Sequence, residues 1–225
     1  GEIADASLAT PETLPQVREA ELRCSAATLG VSEVILLDYR DSGMAGTPEN
    51  EDPRAFINAP AETVVAQLTA VLEKERPQVV IMFDPHGGYG HPDHIAIHRH
   101  TVTAVDSLDN PPRLFFSAIP RSFFDEMRQR LQGIGQDTSE LDRFQELGEI
   151  GWLDDQIHAT LDVAGGIDAK WAAFLCHRTQ FSDDTFFFRL PEADIKQMLM
   201  REHYILAQPQ PEPGLKLWDL FANLD

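Results

Sequence analysis

Residues 78–83, QVVIMF, form an apolar run without polar alternation, and DPHGGYG follows directly at 84–90. A run of this kind is the pattern of a central strand in a parallel sheet, covered by helices on both faces. The glycines let the backbone turn tightly. Pro92 suits the first turn of a helix, predicted from Pro92 to Val105. Around this unit the chain alternates. Helices are predicted over 15–29, 61–75, 121–133, 168–178 and 191–202, and strands over 33–38 (EVILLD), 113–119 (RLFFSAI), 157–163 (IHATLDV) and 202–207 (EHYILA). In the first helix Ala20, Leu22, Cys24, Ala27 and Leu29 supply the apolar face, and Gly30 is a fitting stop. The alternation predicts an α/β fold, Rossmann-like, with a mostly parallel sheet and helices on both faces. Ligands of such sheets bind at the carboxyl ends of the strands, so the loops after 33–38 and 78–83 share a rim. The first of these, RDSGMAGTPENEDPRAF at 40–56, is long for a connection in a compact domain, as functional or disordered loops are. Residues 134–151 are acidic, weakly patterned, and read as a surface excursion.

The 225 residues fit one domain, 1–225, and 43% hydrophobic residues are enough for a full core. Against 18 Lys and Arg stand 37 Asp and Glu, a net charge of −19. Such a surface repels phosphate backbones and anionic lipid, so neither nucleic acid nor a membrane is expected as a partner. No apolar run approaches the roughly 20 residues of a membrane helix. The opening GEIADASLATPETLP lacks the basic and apolar regions of a signal peptide. Cys24 and Cys176, far apart within apolar helical patterns, are read as buried reduced thiols of a cytoplasmic protein, not a disulfide. No GxGxxG, Walker loop, GxSxG or CxxC occurs, so a serine or cysteine nucleophile has no support.

Five histidines, His86, His91, His94, His98 and His100, crowd into FDPHGGYGHPDHIAIHRH. His91 and His94 share a face at the helix start, with Asp93 between them as an acceptor that can orient an imidazole. Imidazole is the favoured nitrogen ligand of zinc, and zinc lowers the pKa of bound water to about 7. His94 is therefore the expected metal ligand. His98 and His100 read as mid-helix packing or surface residues and His86 as a rim residue. Between His94 and His98 stand Ile, Ala and Ile, without the glutamate of a zincin pair. Tyr89, between glycines, suits an oxyanion donor. Asp41 can accept sugar hydroxyls or cap a turn; both readings stay open. Arg18 reads as a salt-bridge residue on the first helix. Lys170, His177, Arg178 and Gln180 are polar members of a segment in which Trp171, Phe174 and Leu175 carry the packing.

GGYGHPDHIAIHR, together with RDSGMAGTPEN, VREAEL with its following LGV, and CHRTQF, resembles the LmbE-like (PIG-L) zinc-dependent N-deacetylases. These include the de-N-acetylases of glucosaminyl-phosphatidylinositol and of the mycothiol and bacillithiol pathways. The resemblance spans nearly the whole chain. It implies a Rossmann-like fold, one catalytic zinc, and a small-molecule amino-sugar substrate that loses an N-acetyl group. It makes His94 a zinc ligand, His91 the general acid or oxyanion stabiliser, Asp93 its orienting partner and Tyr89 an oxyanion donor. Arg18 and Asp41 then hold the sugar. Fe2+ or another divalent ion can replace zinc at a histidine–carboxylate site. The family's A-H-P-D-D-E segment, with two further ligands and the general base, has no counterpart here. The expectation is accordingly a fragment lacking about one βα unit, inactive as a short form. Two alternatives differ in class: an amidase acting on thiol conjugates, and a non-catalytic sugar- or metal-binding protein. A homo-oligomer is compatible with each.

Overall fold

The computed structural model describes residues 3–5, 7–139, 141–142, 151–181, 185–222 and 224. Gly1 and Glu2, and half of the acidic excursion predicted over 134–151, lie outside the described residues. The chain forms two compact units. The first comprises Gly1–Asp38, Glu126–Asp142 and Asp162–Arg201; the second comprises Tyr39–Asp125, Arg143–Leu161 and Glu202–Asp225.

Helices α1 (Leu14–Leu29), α5 (Ile167–Leu175) and α6 (Glu192–Leu199) belong to the first unit. Pro15 starts α1, and Gly30, at φ 74°, ends it in the left-handed conformation that glycine adopts freely. The face α1 buries is not the expected one. It consists of Leu14, Glu21, Ser25 and Ala26, while Leu22 and Leu29 are exposed. Helix α1 packs on α5, whose buried residues are Ile167, Trp171 and Ala173. Their approach brings the Cα atoms of Cys24 and Cys176 to 5.9 Å, within bridging range, and the two are joined in a disulfide. The expectation of buried, reduced thiols is therefore corrected: Cys24 is exposed, Cys176 half-buried, and both are oxidised.

The second unit holds α2 (Ala61–Glu75), β1 (Val79–Met82), α3 (Pro92–Asp106) and β2 (Arg113–Ala118). Helix α4 (Arg121–Gly133), β3 (Ala159–Asp162) and β4 (Arg201–Gln208) each run across a boundary between the units. The strands form one sheet in the order β1-β2-β4-β3. Strand β1 pairs parallel with β2, from Val79↔Arg113 to Met82↔Phe116. Strand β4 pairs antiparallel with β2, with Phe115 opposite Leu206 and Ala118 opposite His203. The α/β class stands; the sheet is mixed. Phe115, Ala159, Tyr204, Leu206 and Leu220 form its core cluster, and Val64, Ala104 and Val105 are fully buried where α2 packs on α3.

Two strand expectations are corrected. Residues 33–38 join no ladder among the described residues, and Ile35 and Leu36 are 44% and 39% exposed. Apolar composition favours a strand only where a partner supplies hydrogen bonds. The run 78–83 lies at an edge of the described sheet, not its centre, and Ile81 is 49% exposed. Among the described residues no helix is long and apolar enough to cross a membrane.

Candidate active site

At the carboxyl end of β1 the chain enters 84–90, where a short helical turn, Gly87–Gly90, precedes α3. Gly87 stands at φ 66°, and a Cβ there would lie 2.9 Å from Ile95 Cγ1 and 3.0 Å from His94 Cβ. Only glycine lets the turn lie this close to α3. The carbonyl of Gly87 faces His94 Nδ1 at 3.1 Å. A carbonyl only accepts, so Nδ1 carries the proton and Nε2 keeps its lone pair. Phe83 stacks flat on the same ring at 3.8 Å between centroids. Burial pulls the His94 pKa below its ordinary value, against the hydrogen bond to Gly87, and so favours neutral imidazole.

His91 caps α3, and its Nδ1 accepts the backbone N–H of Asp93 at 3.2 Å. The neutral His91 ring therefore carries its proton on Nε2, the opposite tautomer to His94. The two ring centroids are 4.8 Å apart. Tyr89, 48% exposed, lies edge-on to both, 5.4 Å from His94 and 6.1 Å from His91.

The loop after residue 39 reaches the same place, although residues 33–38 form no strand to put it on a sheet rim. Asp93 Oδ2 accepts the N–H of buried Ser42 at 3.0 Å. Ser42 is held in turn: its Oγ accepts from Ile57 N–H, and its carbonyl accepts from Asn50 Nδ2. Asp41 accepts Gly43 N–H at 2.7 Å, the turn-capping contact. Asp41, His91 and Asp93 place ligand atoms within 4.8 Å of one another. Asp93 Oδ1 is buried without a hydrogen-bond partner. Such an oxygen is costly to leave alone, and a cation satisfies it. Imidazole and carboxylate suit zinc and several other divalent metals, so the residues present fit a metal ion. His94 lies beside this triad rather than within it.

Of the other expected residues, Arg18 stands half-buried on α1 in the first unit. His98 donates from Nδ1 to Phe83 O at 2.9 Å and packs on Phe116. His100 lies edge-on to Phe56. Both are packing residues. Exposed His86 leans on Trp152, with ring centroids 5.6 Å apart. Pattern reading passed over Asp84, Ser42 and Asn50. Asp84 carried a usable signal, an Asp placed to cap a turn two residues on; Ser42 and Asn50 carried none outside the loop's motif.

The family model for PIG-L, GlcNAc-PI de-N-acetylase, matches residues 1–105. The 1D-myo-inositol 2-acetamido-2-deoxy-alpha-D-glucopyranoside deacetylase of Acidothermus cellulolyticus is 40% identical over 217 residues, covering 92% of this chain and 74% of the relative. The enzyme of the same name from Geodermatophilus obscurus is 35% identical, over 92% of this chain and 76% of the relative. That of Streptomyces scabiei is 33% identical, over 100% and 77%.

Proposed function

The chain belongs to the PIG-L (GlcNAc-PI de-N-acetylase) family, and from that premise we propose that it is a zinc-dependent hydrolase removing the N-acetyl group of an N-acetylglucosamine-type amino sugar. The substrate we favour is the one its relatives are named for, 2-acetamido-2-deoxyglucose joined to inositol. The observation that carries the reading is the pair of contacts at Nδ1, a backbone carbonyl facing His94 and a backbone N–H facing His91, which favour opposite tautomers in the two rings. One ring keeps a bare Nε2, as a metal ligand must. Its neighbour presents an N–H, as an oxyanion needs.

His94, through Nε2, would hold the metal; the carboxylates of Asp41 and Asp93 stand with His91 in the neighbouring triad, whose ligand atoms lie within 4.8 Å of one another. When bound, the ion supplies Lewis-acid polarisation and acidifies water to a pKa of about 7. The chain's own residues do the rest. His91 Nε2–H and the Tyr89 hydroxyl donate to the amide oxygen as it gains charge. Asp93 fixes His91 through its backbone N–H, while Ser42 fixes the Asp93 carboxylate. Hydrolysis consumes one water and breaks the C–N bond. The water oxygen joins the acetyl carbon, which leaves as acetate, and one of the water's protons passes to the sugar nitrogen, which departs as the amine.

Zinc content and acetate release from the inositol-linked sugar, measured together, test this. His94→Ala is expected to lose both. His91→Ala is expected to keep its zinc and lose about 10²–10⁴ in rate. Undiminished zinc in His94→Ala overturns the assignment.

A further inference from the structure

Asp84, the second residue after β1, is buried, and both its carboxylate oxygens are occupied. Oδ1 accepts the N–H groups of His86 at 3.1 Å and Gly88 at 2.8 Å. Oδ2 accepts the indole N–H of Trp152 at 2.7 Å, from 68 positions along the chain. The Asp84 carbonyl accepts Gly87 N–H at 2.9 Å. One residue thus holds three successive N–H groups, those of residues 86, 87 and 88. The carbonyl of the middle residue, Gly87, is the one that faces His94 Nδ1.

Trp152 is itself tied down. Its N–H donates to Ile119 O and its carbonyl accepts from Arg121 N–H, both at 2.9 Å, just beyond β2. Gly151 permits this approach, for a Cβ there would lie 2.8 Å from Ile119 O. The indole N–H is therefore a fixed donor.

We infer that Asp84 and Trp152 are positioning residues, which hold the Gly87 carbonyl where it locks His94 in the Nδ1–H tautomer with Nε2 bare. The importance of that tautomer rests on the reading of His94 as the metal ligand. A ligating histidine depends on the acceptor of its other N–H, and losing such a partner typically weakens metal binding about 10–100-fold. Neither Asp84 nor Trp152 need touch metal or substrate for this.

The test uses the 225-residue chain, 15N-labelled. Long-range 1H–15N spectra of the metal-free protein at about pH 8, above the ordinary histidine range, report which ring nitrogen of His94 is protonated. His94→Ala identifies the resonances. Zn2+ affinity is measured by chelator competition on the same samples. The wild type is expected to show the Nδ1–H form. Asp84→Asn breaks the hub, and Trp152→Phe, which keeps an apolar ring in place, removes only the indole donor. Both are expected to shift His94 toward a mixture of tautomers and to weaken Zn2+ binding about 10–100-fold. If Asp84→Asn does not fold, Trp152→Phe decides alone. An unchanged Nδ1–H tautomer in the folded variants, or its absence from the wild type, overturns the inference. Full Zn2+ affinity in His94→Ala would instead overturn the metal reading, with the tautomer still judging the positioning role.

Discussion

Glu21 accepts both the backbone N–H and the hydroxyl of Thr179, one on each carboxylate oxygen and each at 2.7 Å, across 158 positions of sequence. Both residues are buried. The pairing explains how α1 can bury a charged residue: each carboxylate oxygen has a donor. Thr179→Val removes the hydroxyl and leaves a buried carboxylate oxygen alone. The expected loss is about 1–3 kcal/mol, read from urea unfolding, with Thr179→Ser close to wild type. Equal stability of Val and Ser variants would show that the hydroxyl contact is not made.

The Cys24–Cys176 disulfide joins α1 to the end of α5 and closes a long loop, the two residues being 152 apart. Chain-entropy arguments give such a closure about 5 kcal/mol of stabilisation. Non-reducing peptide mapping should recover the two cysteines on one linked species. Reductant, or Cys24→Ser, should lower Tm by several degrees or more. Free thiols on both residues under oxidising conditions would contradict the structure.

These two contacts show where sequence reading stops. Helix α2 was legible because its apolar residues recur at helical spacing within a short window, and α3 because Pro92 suits a first turn. His94 and His91 were legible because HPDH sets both rings at the start of one helix. Glu21 looked like an ordinary surface charge, since nothing local announces a partner 158 positions away. The same holds for Trp152, 68 positions from Asp84 and at the end of a segment that reads as featureless acid. Residues 33–38 failed differently. Their apolar run has strand composition, but a strand is made by its neighbour, which composition does not report. The direction of β4 is equally silent, because period-two patterning is the same in parallel and antiparallel ladders.

His158 is expected to make the second unit acid-sensitive. Its Nδ1 accepts Leu206 N–H at 3.2 Å, and its backbone pairs with Tyr204 O. Burial, with Lys216 nearby, lowers its pKa from the ordinary value. A folded pKa below the unfolded one means that the folded state resists the proton. The contribution to stability is therefore full above about pH 6.5, and it is lost as pH falls through the lowered folded value. Protonation would also set an N–H against the N–H of Leu206. His158→Gln retains an acceptor but cannot titrate. Unfolding free energy measured from about pH 7.5 to 5 should fall less steeply in this variant than in the wild type. Parallel slopes would remove His158 as the cause.

Gly87 is the position at which a single methyl group should separate folding from metal binding. Its φ of 66° is strained for any side chain, and the added Cβ meets Ile95 Cγ1 at 2.9 Å and both His94 Cβ and Ile95 N at 3.0 Å. All three atoms belong to the helix that carries the site, so relief must come from moving the start of α3 or the Gly87 carbonyl. Either movement alters the partner of His94 Nδ1. Gly87→Ala is expected to cost about 1–3 kcal/mol of stability and to weaken Zn2+ binding at least tenfold, near the effect of losing a partner to a ligating histidine. Gly88→Ala is the matched control, because Gly88 also has a positive φ, 72°, but its Cβ would meet nothing within 4 Å. It should carry the backbone strain without displacing His94. Equal Zn2+ affinity in the two variants would mean that contact between the turn and α3 does not govern the ligand.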